Sequence, residues 1–313
     1  MAEKDGKLFR RGAASLAVLV ILGTSGSAAG APPTPGQSPA RADDPRILTG
    51  ESRAGDTLTL KRAGREFLSD AGRIWSSPAR IRNRHIGPLI ALTAATALLI
   101  AADEPIRDGV RTFAERHGWV GDIGPVLTEI GGIGAFATAG AFFGAGLIFK
   151  DARARDTGYL AASAILQCII VDNFLKSMTG RQRPLVADGE DRWFGPSKFF
   201  ARFEKGQADS FASFPSGHAA TAFSLATVVA MQYRHRGWVP VVAYSLAAGA
   251  GLSRMTMDKH WASDVAIGAV LGHLVARLVV RNHHRRRRIV PMLACTGRGV
   301  SLSVFWDLDR TGR

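Results

Sequence analysis

Cysteine is almost missing from this chain. There are two in 313 residues, Cys168 inside an apolar run and Cys295 in the tail. Such a pair makes neither a disulfide scaffold nor a zinc site, so both read as free thiols. Aromatic residues are few, at 8%. No apolar stretch shows the alternation of a half-buried strand, and no internal repeat or heptad pattern is present. The sequence also lacks a Walker-type lysine loop and a cluster of carboxylates for paired metals, which leaves a metal-dependent route without visible ligands. Acidic residues are in short supply, 26 against 40 basic ones, for a net charge of +14. That excess calls for an anionic partner: nucleic acid, acidic headgroups or a phosphorylated substrate. Six of the positive charges are arginines between Arg277 and Arg288. The imbalance is therefore largely local, which weighs against nucleic acid; a basic run flanking a membrane needs no special partner.

What is abundant is apolar sequence, 46% of the residues, and this excludes disorder throughout. At the N-terminus Lys4, Lys7, Arg10 and Arg11 precede the apolar run Ala13–Leu22, and small residues continue to Ala31. Residues 1–31 thus read as a signal peptide, cleaved after Ala29, or as an N-terminal anchor. Five prolines between Pro32 and Pro45 mark 32–56 as a flexible linker. Within 57–85, Phe67, Leu68, Ala71, Ile74 and Trp75 recur at helical spacing, predicting an amphipathic helix on the core or at a membrane surface. Six apolar helices follow in 86–280, at 86–102, 130–149, 157–171, 219–233, 237–252 and 265–280. Ile106, Val110 and Phe113 add a one-sided helix between the first two. Only 86–102 and 130–149 carry no charge over the 17 or more residues a span needs. The last segment, 281–313, is basic and then reads as a short hairpin around Gly297–Gly299. The fold class is all-α, a six-helix bundle embedded in a membrane, with this C-terminal β-hairpin. In a six-span scheme the basic clusters at 80–84, 150–155, 234–236 and 281–288 share the cytoplasmic side. A cleaved signal would instead leave residue 85 outside, and both readings stay open here.

Three clusters stand where the outward loops meet helices: Lys176-x6-Arg183-Pro184, Phe214-Pro215-Ser216-Gly217-His218, and Ser253-Arg254-x5-His260-x3-Asp264. Lys176 and Arg183 are seven apart and would share a face of a continuing helix. With Arg254 they supply three cations, two of them guanidinium forks suited to phosphate oxygens. Ser216 is a natural N-cap. The helix start at Gly217–His218 aims backbone N–H groups and a positive dipole end outward, with no Cβ at Gly217 to obstruct an oxyanion. If the last helix has begun by His260, Asp264 lies one turn on and can hold one ring nitrogen as N–H, leaving the other as nucleophile. His218, protonated, can donate to a leaving oxygen. Asp172, one turn before Lys176, is placed to orient the lysine or to form an ordinary interfacial pair. His273 reads as a packing residue. The loop 185–213, with Trp193, Phe194, Phe199, Phe200, Phe203 and Phe211, either admits a hydrocarbon chain or closes the core.

Together the clusters resemble the signature of the type 2 phosphatidic acid phosphatase and vanadium haloperoxidase superfamily, Lys-x6-Arg-Pro, Pro-Ser-Gly-His and Ser-Arg-x5-His-x3-Asp, matched without a substitution. The resemblance implies His260 as nucleophile, His218 as general acid and Asp264 as the residue that orients His260. It implies Lys176, Arg183, Ser216, Gly217 and Arg254 as phosphate ligands. Metal and cofactor are then both absent, with vanadate an inhibitor in the phosphate site. The implied activity is metal-independent hydrolysis of a lipid phosphate or diphosphate through a phosphohistidine, in a bacterial inner membrane with an extracytoplasmic site. Partners are a lipid phosphate and the membrane, not nucleic acid. Three alternatives stand beside it: a soluble exported acid phosphatase, periplasmic or secreted; a haloperoxidase with vanadate as cofactor; and a non-enzymatic, basic, membrane-anchored binding protein.

Overall fold

The computed structural model describes residues 60–187, 191–198 and 210–288. The expected signal or anchor, the proline-rich linker and the C-terminal hairpin lie outside the described residues, as does Cys295. Nine α-helices occur within them: α1 (Leu60–Trp75), α2 (Asn83–Ala101), α3 (Asp103–Arg116), α4 (Trp119–Gly131), α5 (Ile133–Ile148), α6 (Ala152–Thr179), α7 (Gly217–Gln232), α8 (Trp238–Thr256) and α9 (Ala262–Arg288). The six apolar stretches are all helical, but a count of six is too low. The one-sided helix is α3, and α4 is unforeseen, because its Gly121, Gly124, Pro125 and charged Asp122 and Glu129 interrupt any apolar run.

Long charge-free sequence also misreports the spans. The stretch 130–149 is not one helix: it breaks at Gly132, and α4 and α5 meet at a 52° bend. Three helices are long and apolar enough to cross a membrane, α2, α6 and α9, or four if the bent α4–α5 pair counts as one. On length and composition, the described residues thus supply three or four of the six spans that scheme needs. α6 owes its length to its ends. Asp151 Oδ1 accepts from the amides of Arg153 and Ala154 at 2.8 and 3.2 Å. At the other end Gly180, at φ 54°, turns the chain out of the helix while its N–H still reaches the carbonyl of Lys176.

The core sits where α5, α6, α7 and α9 meet, built from Ala135, Ala139, Leu160, Ala161, Ala164, Ile165, Leu225, Val228, Ala276, Val279 and Val280. A second cluster joins α7 to α8 through Ala222, Ala226, Ala247 and Ala250. Small side chains predominate because the backbones approach closely, as they do in helix bundles packed within lipid. α1 is the surprise. The helix is present, but Leu68 and Trp75 are exposed while Glu66 and Asp70 are buried. Asp70 Oδ1 accepts from Asn282 Nδ2 and Arg286 of α9, and His283 Nδ1 lies 3.3 Å from Glu66 Oε2. The basic end of α9 supplies partners that make the acidic stripe the inward one, which hydrophobic periodicity alone does not register.

Candidate active site

α6, α7, α8 and α9 alternate in direction, so the end of α6, the start of α7, the end of α8 and the start of α9 gather at one end of the bundle. That is why motifs 80 residues apart in sequence meet. Lys176 stands in the last turn of α6 with its Nζ 2.5 Å from Asp172 Oδ2, both side chains buried. The pair is therefore not an interfacial one. Gly217 lies directly against it: a Cβ there would stand 3.0 Å from Lys176 Nζ and from Asp172 Oδ2. Arg183 does not share a helix with Lys176, because Gly180 ends α6 first. The loop brings Arg183 round instead, held by the bond from its N–H to the carbonyl of Ser210.

Ser216 precedes α7 in extended geometry, yet its hydroxyl makes no cap bond. Its Oγ is buried without a hydrogen-bond partner among the described residues, and its N–H goes to the carbonyl of Asp264 at 3.0 Å. The expected capping role is thus corrected, and the hydroxyl is left uncommitted at the start of α7. His218, in the first turn of α7, rests against the α4–α5 break. A Cβ on Gly131 would run into its carbonyl oxygen, and one on Gly132 would stand 3.4 Å from Nε2.

His260 lies two residues before α9 rather than on it. The loop that carries it is fixed from several sides. The amides of Lys259 and His260 both reach the carbonyl of Arg254, at 2.9 and 3.2 Å. Arg107 of α3 forks onto Asp258 at 2.6 and 2.7 Å. The indole N–H of Trp261 donates to the carbonyl of Gln182. Asp264, in the first turn of α9, still comes up beside the ring: Oδ2 is 3.5 Å from His260 Nδ1, longer than a formed hydrogen bond, and that buried nitrogen has no other hydrogen-bond partner among the described residues. His260 is 3% exposed. Burial pushes its pKa down to about 3, helped by the charges of Arg183 and Lys176, and the pull of Asp264 in the other direction does not offset them. The imidazole is accordingly neutral, one nitrogen turned to a carboxylate, in a setting of cations.

Two groups lie outside the motifs. Ser213 donates its hydroxyl to Asp264 Oδ2 at 2.5 Å, and Arg181, fully buried, donates to Asp264 Oδ1 at 2.6 Å. Arginine two residues before Arg183 was the only signal in the sequence, and by type alone it is indistinguishable from a surface charge. Elsewhere, His273 Nδ1 lies 3.0 Å from Tyr244 Oη and 3.2 Å from Thr227 Oγ1, away from these groups. In the aromatic loop Phe211 is buried, Trp193 covers Arg181 at 4.6 Å, and Phe199, Phe200 and Phe203 lie outside the described residues.

The PAP2 superfamily model matches residues 157–288. The lipid A 1-phosphatase of Porphyromonas gingivalis is 29% identical over 231 residues, covering 71% of this chain and 43% of that protein. A probable diacylglycerol pyrophosphate phosphatase of Schizosaccharomyces pombe is 39% identical over 85 residues, 23% of this chain and 30% of that one. The chain thus spans less than half the length of these curated relatives. Among solved structures, a transmembrane PAP2-type phosphatidylglycerolphosphate phosphatase from Bacillus subtilis aligns with a TM-score of 0.44 at 22% identity, over 62% of this chain and 95% of that one. The matched segment holds all three motifs and both histidines, and over it this chain is similar to the PAP2 superfamily.

Proposed function

We propose that this chain is a membrane-embedded phosphatase that hydrolyses a lipid phosphate or diphosphate through a phosphohistidine, without a metal. One observation carries the reading: a buried imidazole kept neutral, with a carboxylate at one nitrogen and lysine and arginine charges around it. In this reading Asp264 holds Nδ1 as N–H, and the Nε2 lone pair of His260 attacks phosphorus. The bond from phosphorus to the leaving oxygen breaks as His218 delivers a proton to that oxygen. Water then attacks the phosphohistidine, giving its proton to His218; the P–N bond breaks and inorganic phosphate leaves. Lys176, Arg183 and Arg254, the Ser216 hydroxyl and the Gly217 backbone hold the non-bridging oxygens, whose charge grows in each transition state.

The lipid class is supported by the relatives' own names and by the surface of the molecule. α2 buries none of its apolar run, and Leu98, Ile133, Ile148 and Phe149 are more than 70% exposed. A groove of about 510 Å³ between α3, α4 and α8, lined by Ile106, Phe113, Trp119, Leu127 and Leu252, passes Ser253, the neighbour of Arg254, and suits a hydrocarbon chain. Phosphatidate, phosphatidylglycerophosphate, a prenyl diphosphate and a lipid A phosphate all meet this description. The loops at 150–155 and 234–236 and the end of α9, all basic, lie at the end of the bundle opposite the site. The positive-inside rule then puts the site on the extracytoplasmic face.

The test uses purified full-length protein in micelles with chelator present. Lipid phosphates should turn over, and brief incubation with a ³²P-labelled substrate should leave an acid-labile, base-stable label on the protein. His260→Ala should abolish the label and lower turnover by about three orders of magnitude or more. Activity lost to chelator, or a label that persists without His260, would refute the mechanism. Vanadate should inhibit; a requirement for it would favour the haloperoxidase alternative.

A further inference from the structure

Arg181 is enclosed completely and bonded at every nitrogen. NH1 donates to Asp264 Oδ1 and to Ser263 Oγ, both at 2.6 Å; NH2 donates to Asp103 Oδ2 at 2.6 Å and Asp191 Oδ2 at 2.8 Å; Nε donates to Asp191 Oδ1 at 2.8 Å. The rings of Trp193 and Trp261 lie 4.6 and 5.3 Å from its guanidinium carbon. Asp103, at the start of α3, also accepts from the amide of Ser263 at 2.9 Å, and so caps α9 from 160 residues away. Burying one cation among three carboxylates is a poor way to gain stability, since desolvation consumes most of the attraction. The arrangement makes sense through what it does to Asp264. The two oxygens of that carboxylate face different ways. Oδ1 takes Arg181, while Oδ2 takes the Ser213 hydroxyl and the Trp261 amide and is the oxygen nearest His260 Nδ1.

The geometry points to Arg181 as a positioning residue for the His260–Asp264 pair: by holding Oδ1 it fixes the plane of the carboxylate so that Oδ2 meets the ring. Asp103 and Asp191 serve by fixing Arg181 in turn. The planar fork is essential, because NH1 serves Asp264 while NH2 and Nε are occupied elsewhere, and an ammonium cannot reproduce three fixed directions. Arg181 does not touch the phosphate. The inference rests on the phosphatase reading above.

It is tested in the full chain in micelles, with phosphatidate as substrate, on Arg181→Gln, Arg181→Lys, Asp264→Asn and the double variants. Thermal unfolding establishes that each is folded. Arg181→Gln should lower kcat by about 50-fold with KM within about threefold of the parent, and Arg181→Lys should recover part of the loss. In the Asp264→Asn background neither Arg181 substitution should cost anything further, a non-additivity that a merely structural role would not produce. Should Arg181→Gln fail to fold, Arg181→Lys alone and combined with Asp264→Asn gives the same comparison. A kcat within twofold of the parent, additive losses, or a raised KM at unchanged kcat would overturn the assignment, the last by placing the guanidinium on the phosphate. A parent protein that hydrolyses no lipid phosphate would sink the phosphatase reading itself, and is recognisable because the parent is measured first.

Discussion

At position 260 the imidazole is enclosed, and burial holds it neutral down to about 3, where an exposed histidine protonates near 6.5. In the unfolded chain the ring regains its ordinary affinity for protons. Between those two values the unfolded state therefore binds more protons than the folded one, and stability from this group is lost as pH falls from about 6.5 toward 3. Above about 7 both states are neutral and the contribution is flat. Thermal unfolding of the parent and of His260→Gln in the same micelles, from pH 7.5 to 4, checks this: the parent's midpoint should fall faster on acidification. Parallel curves would show that the ring is not held neutral. The residue types of the site were legible because a His-x3-Asp spacing and paired guanidinium groups are local facts. Whether Ser216 spends its hydroxyl on a cap was not legible, since that depends on how the chain enters α7. Arg181 was no more so, because its importance comes from enclosure.

Helix ends decide more here than helix interiors. Gly180 stops α6 after Lys176 and sends Arg183 into a loop, so the seven-residue spacing works through a turn and not along a face. Gly131 and Gly132 break what reads as one apolar run and press the α4–α5 junction onto the backbone of His218; Thr221 Oγ1 of α7 bonds the carbonyl of Gly131. Gly131→Ala would drive a methyl into the carbonyl oxygen of His218. It should destabilise the protein by about 1–3 kcal/mol and, by shifting His218, lower kcat beyond what the loss of folded protein explains. Gly140→Ala in α5, where a Cβ meets nothing within 4 Å, is the control and should be close to neutral in both respects. Equal behaviour of the two variants in unfolding and turnover would contradict the packing argument. Helical periodicity located α5, α7 and α8 to within about four residues, but its apolar runs stop at 171 and 280, well short of the ends of α6 and α9 at Thr179 and Arg288. It overlooked α4, whose glycines, proline and acids erase the apolar pattern that locates the others.

For the molecule as a whole, the apolar surface sets the solvent. A helix with no buried residue, built on the uncharged apolar stretch 86–102, is unstable in water unless something covers it, and a bilayer does so directly. Membranes from expressing cells should keep the protein through high-salt and alkaline washes and release it to detergent. Release by salt or osmotic shock would favour the soluble exported alternative. What the chain determines by itself is local chemistry: helical class, the order of the three motifs, and the histidine, lysine and arginine types that those motifs carry. Only the tertiary structure decided how many helices are long and apolar enough to span, which face of α1 turns inward, and that a buried arginine grips the carboxylate beside His260. These last depend on burial and on partners 80 to 220 residues away, such as Arg181 with Asp264 or Asp70 with Arg286, and no window of sequence contains both members of such a pair.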